Sequence, residues 1–140
     1  MLTGTYENKL DAKGRTFLPM KMRKELGFNF MVTRWLDKCL AIYTTEKWND
    51  LAAVLNNQPM AKSRDTKRFF FSSANEIELD AQGRMLIPQT LRSFAKLNSD
   101  IVIIGAGDWA EIWSREAWDA YNANPDLEAK ISQSMEELGV

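Results

Sequence analysis

Two five-residue segments carry the first chemistry to weigh. DAKGR runs from Asp11 to Arg15, and DAQGR from Asp80 to Arg84. Asp at the first position with Gly three residues on is the signature of a type I turn. Asp11 and Asp80 are placed to accept backbone N–H groups within the turn, and Gly14 and Gly83 supply the backbone freedom that closes it. Arg15 and Arg84 then leave the turn beside Lys13 and Gln82. Turn chemistry accounts for Asp and Gly but does not call for arginine twice. An arginine fork pairs bidentately with guanine O6 and N7, lysine sits on phosphate, and glutamine reaches phosphate or an adenine edge.

The two segments lie inside a longer repeat. Leu10–Arg23, LDAKGRTFLPMKMR, and Leu79–Arg92, LDAQGRMLIPQTLR, are identical at seven of 14 positions at an offset of 69. Upstream, Glu7 meets Glu76 at the same offset. Downstream the offset becomes 70, where Val32 meets Val102, Ile42 meets Ile112, Glu46 meets Glu116 and Trp48 meets Trp118. The chain therefore reads as two copies of one unit of about 45 residues, each too small to be comfortably stable alone. We place the units at 5–47 and 76–119, with a helical tail at 120–140. Sharing of core between the copies, with pseudo-two-fold symmetry, is the expected solution.

Each unit implies the same elements. A short strand ends at Leu10 or Leu79, the turn follows, and a second strand covers Arg15–Leu18 or Arg84–Ile87. Pro19 and Pro88 stop that strand and suit the first turn of a short helix carrying Met22 and Leu26, or Leu91 and Ala95. A hairpin pairs Phe30–Thr33 with Leu40–Tyr43, and Ile101–Ile104 with Glu111–Trp113. Thr45-Glu46 and Ser114-Arg115-Glu116 offer caps and acidic first turns for helices carrying Trp48 or Trp118. Between the units, one helix from Thr45 to about Asn57 stops before Pro59. A basic helix over Ser63–Ser72 follows, whose Phe69, Phe70 and Phe71 face a core or an interface. In the tail, Leu127, Ile131, Met135 and Leu138 recur at helical spacing, which suits packing on their own unit or on a neighbouring subunit.

Composition narrows the function. The chain has 140 residues, no histidine and one cysteine, Cys39. His-based triads, His metal ligands, an internal disulfide and a Cys-rich zinc site are thereby excluded. We expect no catalytic residues, no metal and no cofactor. MLTGTYENKLD has no apolar stretch of the kind a signal peptide needs, and the run Ile101–Ile104 is far too short to span a bilayer. The expectation is a cytoplasmic protein with no membrane partner. Charge is divided unevenly. Residues 1–72 hold 13 Lys/Arg against 7 Asp/Glu, and residues 73–140 hold 5 against 12. Such a split fits a polyanion-facing end, self-assembly through unlike surfaces, or uneven scatter.

Two other motifs compete with this reading. Gly105-Ala106-Gly107-Asp108-Trp109-Ala110 matches G-x-G-x-x-A after an apolar run, but strand sequence follows it and too little chain remains for a dinucleotide fold, so a hairpin turn is the better reading. Asp108 and Glu111 among Trp35, Trp109, Trp113 and Trp118 suggest a glycosidase-like carboxylate pair, but such aromatics more often pack a core or interface.

LDAKGRTFLP and LDAQGRMLIP, in a chain of this length with the FFF stretch and IVIIGAGDWAEIW, resemble the MraZ family, bacterial transcription regulators of the SpoVT–AbrB class. The resemblance covers nearly the whole chain. It implies an α+β fold of two tandem, pseudo-symmetric AbrB-like swapped-hairpin units with short helices. It implies assembly into a homo-oligomeric ring and association with the nucleoid. It further implies binding to repeated boxes of double-stranded DNA upstream of the family's own division and cell-wall gene cluster. The DNA-contacting motif maps onto Asp11–Arg15 and Asp80–Arg84, with Lys13, Arg15, Gln82 and Arg84 as contacts and Asp11, Gly14, Asp80 and Gly83 forming the turns. The alternative from another class is a non-enzymatic scaffold or antitoxin-like partner binder.

Overall fold

The computed structural model describes Met1–Val140. Eight strands and six helices follow in order: β1 Thr5–Lys9, β2 Arg15–Phe17, α1 Met20–Leu26, β3 Asn29–Arg34, β4 Leu40–Thr44, α2 Thr45–Asn56, α3 Met60–Phe71, β5 Asn75–Glu78, β6 Arg84–Leu86, α4 Gln89–Phe94, β7 Asp100–Gly105, β8 Ala110–Ser114, α5 Arg115–Ala123 and α6 Leu127–Leu138. The fold is α+β, and every strand pairing is antiparallel.

The two units interleave. Six strands form one sheet in the order β1-β7-β8-β4-β3-β5, and β2 pairs with β6 in a separate two-stranded ribbon. The first strand of each unit thus pairs with the hairpin of the other, Glu7 opposite Val102 and Glu76 opposite Met31. One core of 19 buried residues takes nine from the first 72 positions and ten from the rest, including Phe30, Val32 and Ile42 with Met85, Ile103 and Ile112. This main core belongs to neither unit alone, which answers the size problem each has by itself.

The structure corrects one detail of the repeat. Val32 faces Ile42 across its hairpin, and Ile103 faces Ile112 across the other. Since Ile42 and Ile112 are equivalent, the counterpart of Val32 is Ile103, not Val102. The matching valines of the sequence are one residue out of register. Side chains alternate across a strand, so a slip of one would turn the core face outward. The loop of the first hairpin is one residue longer and absorbs the difference.

The helices follow local signals with small shifts. The cap of α2 is Thr44, not Thr45, its side chain accepting from the Lys47 N–H at 3.1 Å. Ser114 caps α5 by accepting from Ala117 N–H at 3.0 Å. The basic helix starts at Met60, directly after Pro59, rather than at Ser63. Phe70 is buried in a second cluster with Ala41, Tyr43 and Trp48, while Phe69 and Phe71 pack around it. The apolar stripe of α6 buries no residue, so it does not pack into its own unit. No helix is long and apolar enough to cross a membrane.

Candidate nucleic-acid interface

Each Asp-x-x-Gly-Arg segment closes as a turn, and the two closures are nearly superimposable. Gly14 N–H donates to the Asp11 carbonyl at 3.0 Å, and Gly83 N–H to that of Asp80 at 2.9 Å. Asp11 Oδ1 accepts from the backbone N–H of Lys13 and of Arg15, both at 2.9 Å. Asp80 Oδ1 accepts from Gln82 and Arg84 at the same distances. The second carboxylate oxygen takes the arginine side chain, with Arg15 Nε 2.8 Å from Asp11 and Arg84 Nε 2.8 Å from Asp80. Arginine is thus a member of the turn, contrary to the sequence-based reading that the turn had no use for it. The backbone N–H of Arg15, with further donation from its side chain and from Lys13, holds the Asp11 carboxyl at about 2, below its ordinary 3.8. The carboxyl of Asp80 is shifted in the same direction, first by the backbone N–H of Arg84.

Using Nε on the aspartate fixes the guanidinium but leaves its outer edge free. Four of the five guanidinium N–H donors sit on the two Nη atoms. Those of Arg15 and Arg84 donate to no acceptor in the chain, so each arginine presents an end-on, bidentate edge held in place by its own turn.

The ribbon sets the spacing of the two edges. Thr16 lies opposite Met85, with Arg15 opposite Leu86 and Phe17 opposite Arg84. Thr16 and Met85 point inward and are buried; Phe17 and Leu86 stand 53% and 54% exposed on the other face. Alternation puts both arginines on that outer face, diagonal to each other. The result is a small pseudo-symmetric checkerboard of two guanidinium edges and two apolar side chains. Arg84 also reaches the first unit, lining with Asp11, Arg15 and Lys9 an open hollow of about 390 Å³.

The turns are braced from the opposite unit by residues to which sequence reasoning gave no role. Arg92 donates through Nε to the Ile87 carbonyl at 2.8 Å, and Arg23 to that of Leu18 at 2.9 Å. Each lies against the glycine of the other unit's turn. Ile87 N–H donates to the Gly14 carbonyl at 2.9 Å, and Leu18 N–H to the Gly83 carbonyl at 3.2 Å. The signal was present, since Arg23 and Arg92 are the last identical pair of the 14-residue repeat.

The remaining candidates separate. Lys13 and Gln82 are exposed at the turn tips. Lys9 is ion-paired to Asp100. Glu111 accepts from the indole N–H of Trp109 and of Trp113, each at 2.9 Å, so its two oxygens are taken. Asp108 pairs instead with Lys47 at 3.5 Å, and the two carboxylates form no acid–base couple. Gly105–Ala110 is the turn of an antiparallel hairpin, where Ala106 N–H meets the Trp109 carbonyl at 2.8 Å. No three Asp, Glu or Cys side chains converge as metal ligands would.

Comparison with known proteins places this architecture. The family model described as "MraZ protein, putative antitoxin-like" matches the chain twice, over residues 1–69 and 70–138. Among similar curated proteins, the transcriptional regulator MraZ of Clostridium tetani is 48% identical over the full length of both chains. That of Thermoanaerobacter sp. is 43% identical, also over the full length of both. That of Heliobacterium modesticaldum is 48% identical over 99% of this chain and 94% of its own. These relatives carry the name of a non-enzymatic class, and with a family match across both tandem units the chain belongs to the MraZ family.

Proposed function

We propose that the chain is a sequence-specific, DNA-binding transcriptional regulator whose reading element is the β2–β6 ribbon. The observation that carries this is the pair of guanidinium edges, each anchored through Nε and free at both Nη groups, on one exposed face. A two-stranded ribbon fits the major groove, and an end-on guanidinium matches guanine O6 and N7. Phe17 and Leu86 beside them suit thymine methyl groups. Lys13 supplies a phosphate contact, and Gln82 takes a phosphate or an adenine edge.

One ribbon touches few bases, so specificity at useful affinity calls for several ribbons on repeated boxes. The proposal therefore includes a homo-oligomeric ring of swapped-hairpin subunits, units at 5–47 and 76–119 with the tail at 120–140, acting in the nucleoid. The boxes would lie upstream of the division and cell-wall gene cluster. Supporting this are the full-length relatives named as transcriptional regulators and the unlike charges of the two halves.

The test is fluorescence anisotropy on a duplex of the chain's own upstream region against a scrambled duplex of equal length, at two salt concentrations. Preference for the upstream duplex, lost in Arg15→Ala, is the expected result. Equal weak binding to both removes sequence recognition and leaves the ribbon as a protein-binding, antitoxin-like surface.

A further inference from the structure

The two edge strands of the sheet, β1 and β5, each run into one turn of the ribbon, and they differ in charge. At the offset of 69, Glu7 matches Glu76, Asn8 matches Ile77 and Lys9 matches Glu78. On β1 both charges are balanced. Glu7 is paired with Arg115 at 3.0 Å, and Lys9 with Asp100, which lies opposite it on β7. On β5 neither is. Glu76 lies opposite Met31 and Glu78 opposite Asn29. Thr45 stands where the other unit has Arg115. Both β5 carboxylates are exposed and form no ion pair in the chain.

The space beside the ribbon differs in the same sense. The open hollow lies on the β1 side, and its walls include Asn8, Lys9, Thr16 and both ribbon arginines. Asn8 Nδ2 donates to the Phe17 carbonyl at 2.6 Å and to Thr16 Oγ1 at 3.3 Å, which ties β1 to β2. On the β5 side the equivalent residues, Ile77 and Met85, are buried and apolar, so no polar tie is made there.

A duplex that takes the ribbon into its major groove carries a phosphate backbone past each side of it. Two unpaired carboxylates on one side meet that backbone with like charge, which costs affinity and slows encounter. The other side carries no such excess. The Lys9–Asp100 pair is exposed, with side chains 80% and 57% accessible, so solvent screens it and its exchange for another anion costs little.

We propose that Glu76 and Glu78 are orienting residues for DNA: they hold the phosphate backbone off β5, so the duplex rides on the β1 side, where Lys9 exchanges Asp100 for a phosphate. Arg15 and Arg84 are equivalent, so the guanidinium edges alone would let the ribbon enter a groove either way round. The β5 carboxylates remove that ambiguity without touching a base. The inference rests on the DNA reading proposed above and names the residues that set which way the ribbon lies.

The experiment uses the full chain and the shortest upstream duplex that retains preference over its scrambled form. Anisotropy titrations at several salt concentrations compare wild type with Glu76→Gln/Glu78→Gln, Glu78→Lys, Lys9→Gln and, as a control, Glu128→Lys on α6. The double variant should bind about threefold more tightly or better at low salt, and Lys9→Gln several-fold more weakly. Glu78→Lys should steepen the log–log salt slope by about 0.9, the value for one further phosphate neutralised. Glu128→Lys should change neither affinity nor slope by as much. Orientation is read with an iron chelate on Ala12→Cys or Ala81→Cys, one in each turn, since Cys39 is buried and escapes labelling. In the otherwise native chain each probe should cut one end of the duplex, the two at opposite ends. In the double variant each should cut both ends. Variants indistinguishable from Glu128→Lys, native-chain cuts at both ends, or double-variant cuts that stay at one end would each overturn the proposal and leave the DNA reading standing. Wild type with no preference for any upstream duplex would end both.

Discussion

The guanidinium of Arg92 fills the space that a Cβ on Gly14 would need, its Nε 2.5 Å from that position. Arg23 does the same to Gly83 with its own guanidinium. The two turns that present Arg15 and Arg84 are therefore each roofed by an arginine from the opposite unit. Each turn closes through its own hydrogen bonds and is braced by the other unit, and the ribbon, which pairs β2 with β6, cannot be assembled by either half alone.

Gly14→Ala should consequently act in two ways. Gly14 has φ 88°, a conformation strained for any L side chain, and the new methyl must displace Arg92. Together these should cost about 1–3 kcal/mol. Adding Arg92→Ala should recover the collision part and leave the φ part, so the double variant should lose less than the sum of the singles. Urea unfolding of the four proteins measures this; strictly additive losses would show that the roof is not in contact.

Arg15 separates stability from recognition. Its bond to Asp11 is a surface ion pair, which solvent screens, so Arg15→Ala should leave the melting curve nearly unchanged. Arg15→Lys keeps the charge but loses the Nε anchor and the bidentate edge. Both variants should lose preference for the upstream duplex, with lysine retaining more of the sequence-independent binding. A lysine variant with wild-type preference would show that charge, not the fork, does the reading.

The sequence carried most of what is local. Asp and Gly at fixed spacing specify a turn, Pro19 and Pro88 mark where strand gives way to helix, and Thr or Ser before an amphipathic run marks a helix start. The sharing of core also followed, because units of this size have no other way to bury Phe30 or Ile103. What escaped depended on contacts between distant segments. The Arg15–Asp11 bond needs the side-chain geometry of a closed turn. The Arg92–Gly14 contact joins residues 78 positions apart; the repeat marks Arg23 and Arg92 as a pair but not what they touch. The valine mismatch arose because identity in a short strand outweighed face, which only cross-strand pairing reveals.

Acid should weaken the turns in a defined window. Asp11 has a folded-state value of about 2 against an ordinary 3.8, set first by the Arg15 backbone N–H. Below 3.8 and above about 2 the unfolded chain binds the extra proton, so stability falls as pH drops through that interval and is fully present above it. Asp80 and Asp100 shift in the same direction and add to the same limb. Asp11→Asn should be less stable at neutral pH and should show a shallower loss between pH 4 and pH 2. Parallel acid limbs for the two proteins would mean that Asp11 contributes nothing there.

Salt and box number together test how the ribbon is used. In each turn the arginine charge is matched by its aspartate, so Lys13 is the one uncompensated cation of the first turn and the second turn, with Gln82, has none. A single box should therefore bind weakly, with a log–log salt slope of about −0.9, the value for the one phosphate that Lys13 neutralises. Two or three boxes spaced to meet neighbouring subunits should bind about 10²–10⁴-fold more tightly with proportionally steeper slopes. Gln82→Lys adds one cation to the second turn. It should steepen the slope by about 0.9 and raise affinity for scrambled and upstream duplexes alike, narrowing the preference between them. Titrations of one-, two- and three-box duplexes at several salt concentrations supply both numbers. Equal affinities across the series would show that one ribbon does all the binding, and an unchanged slope in Gln82→Lys would show that the second turn lies away from the phosphates.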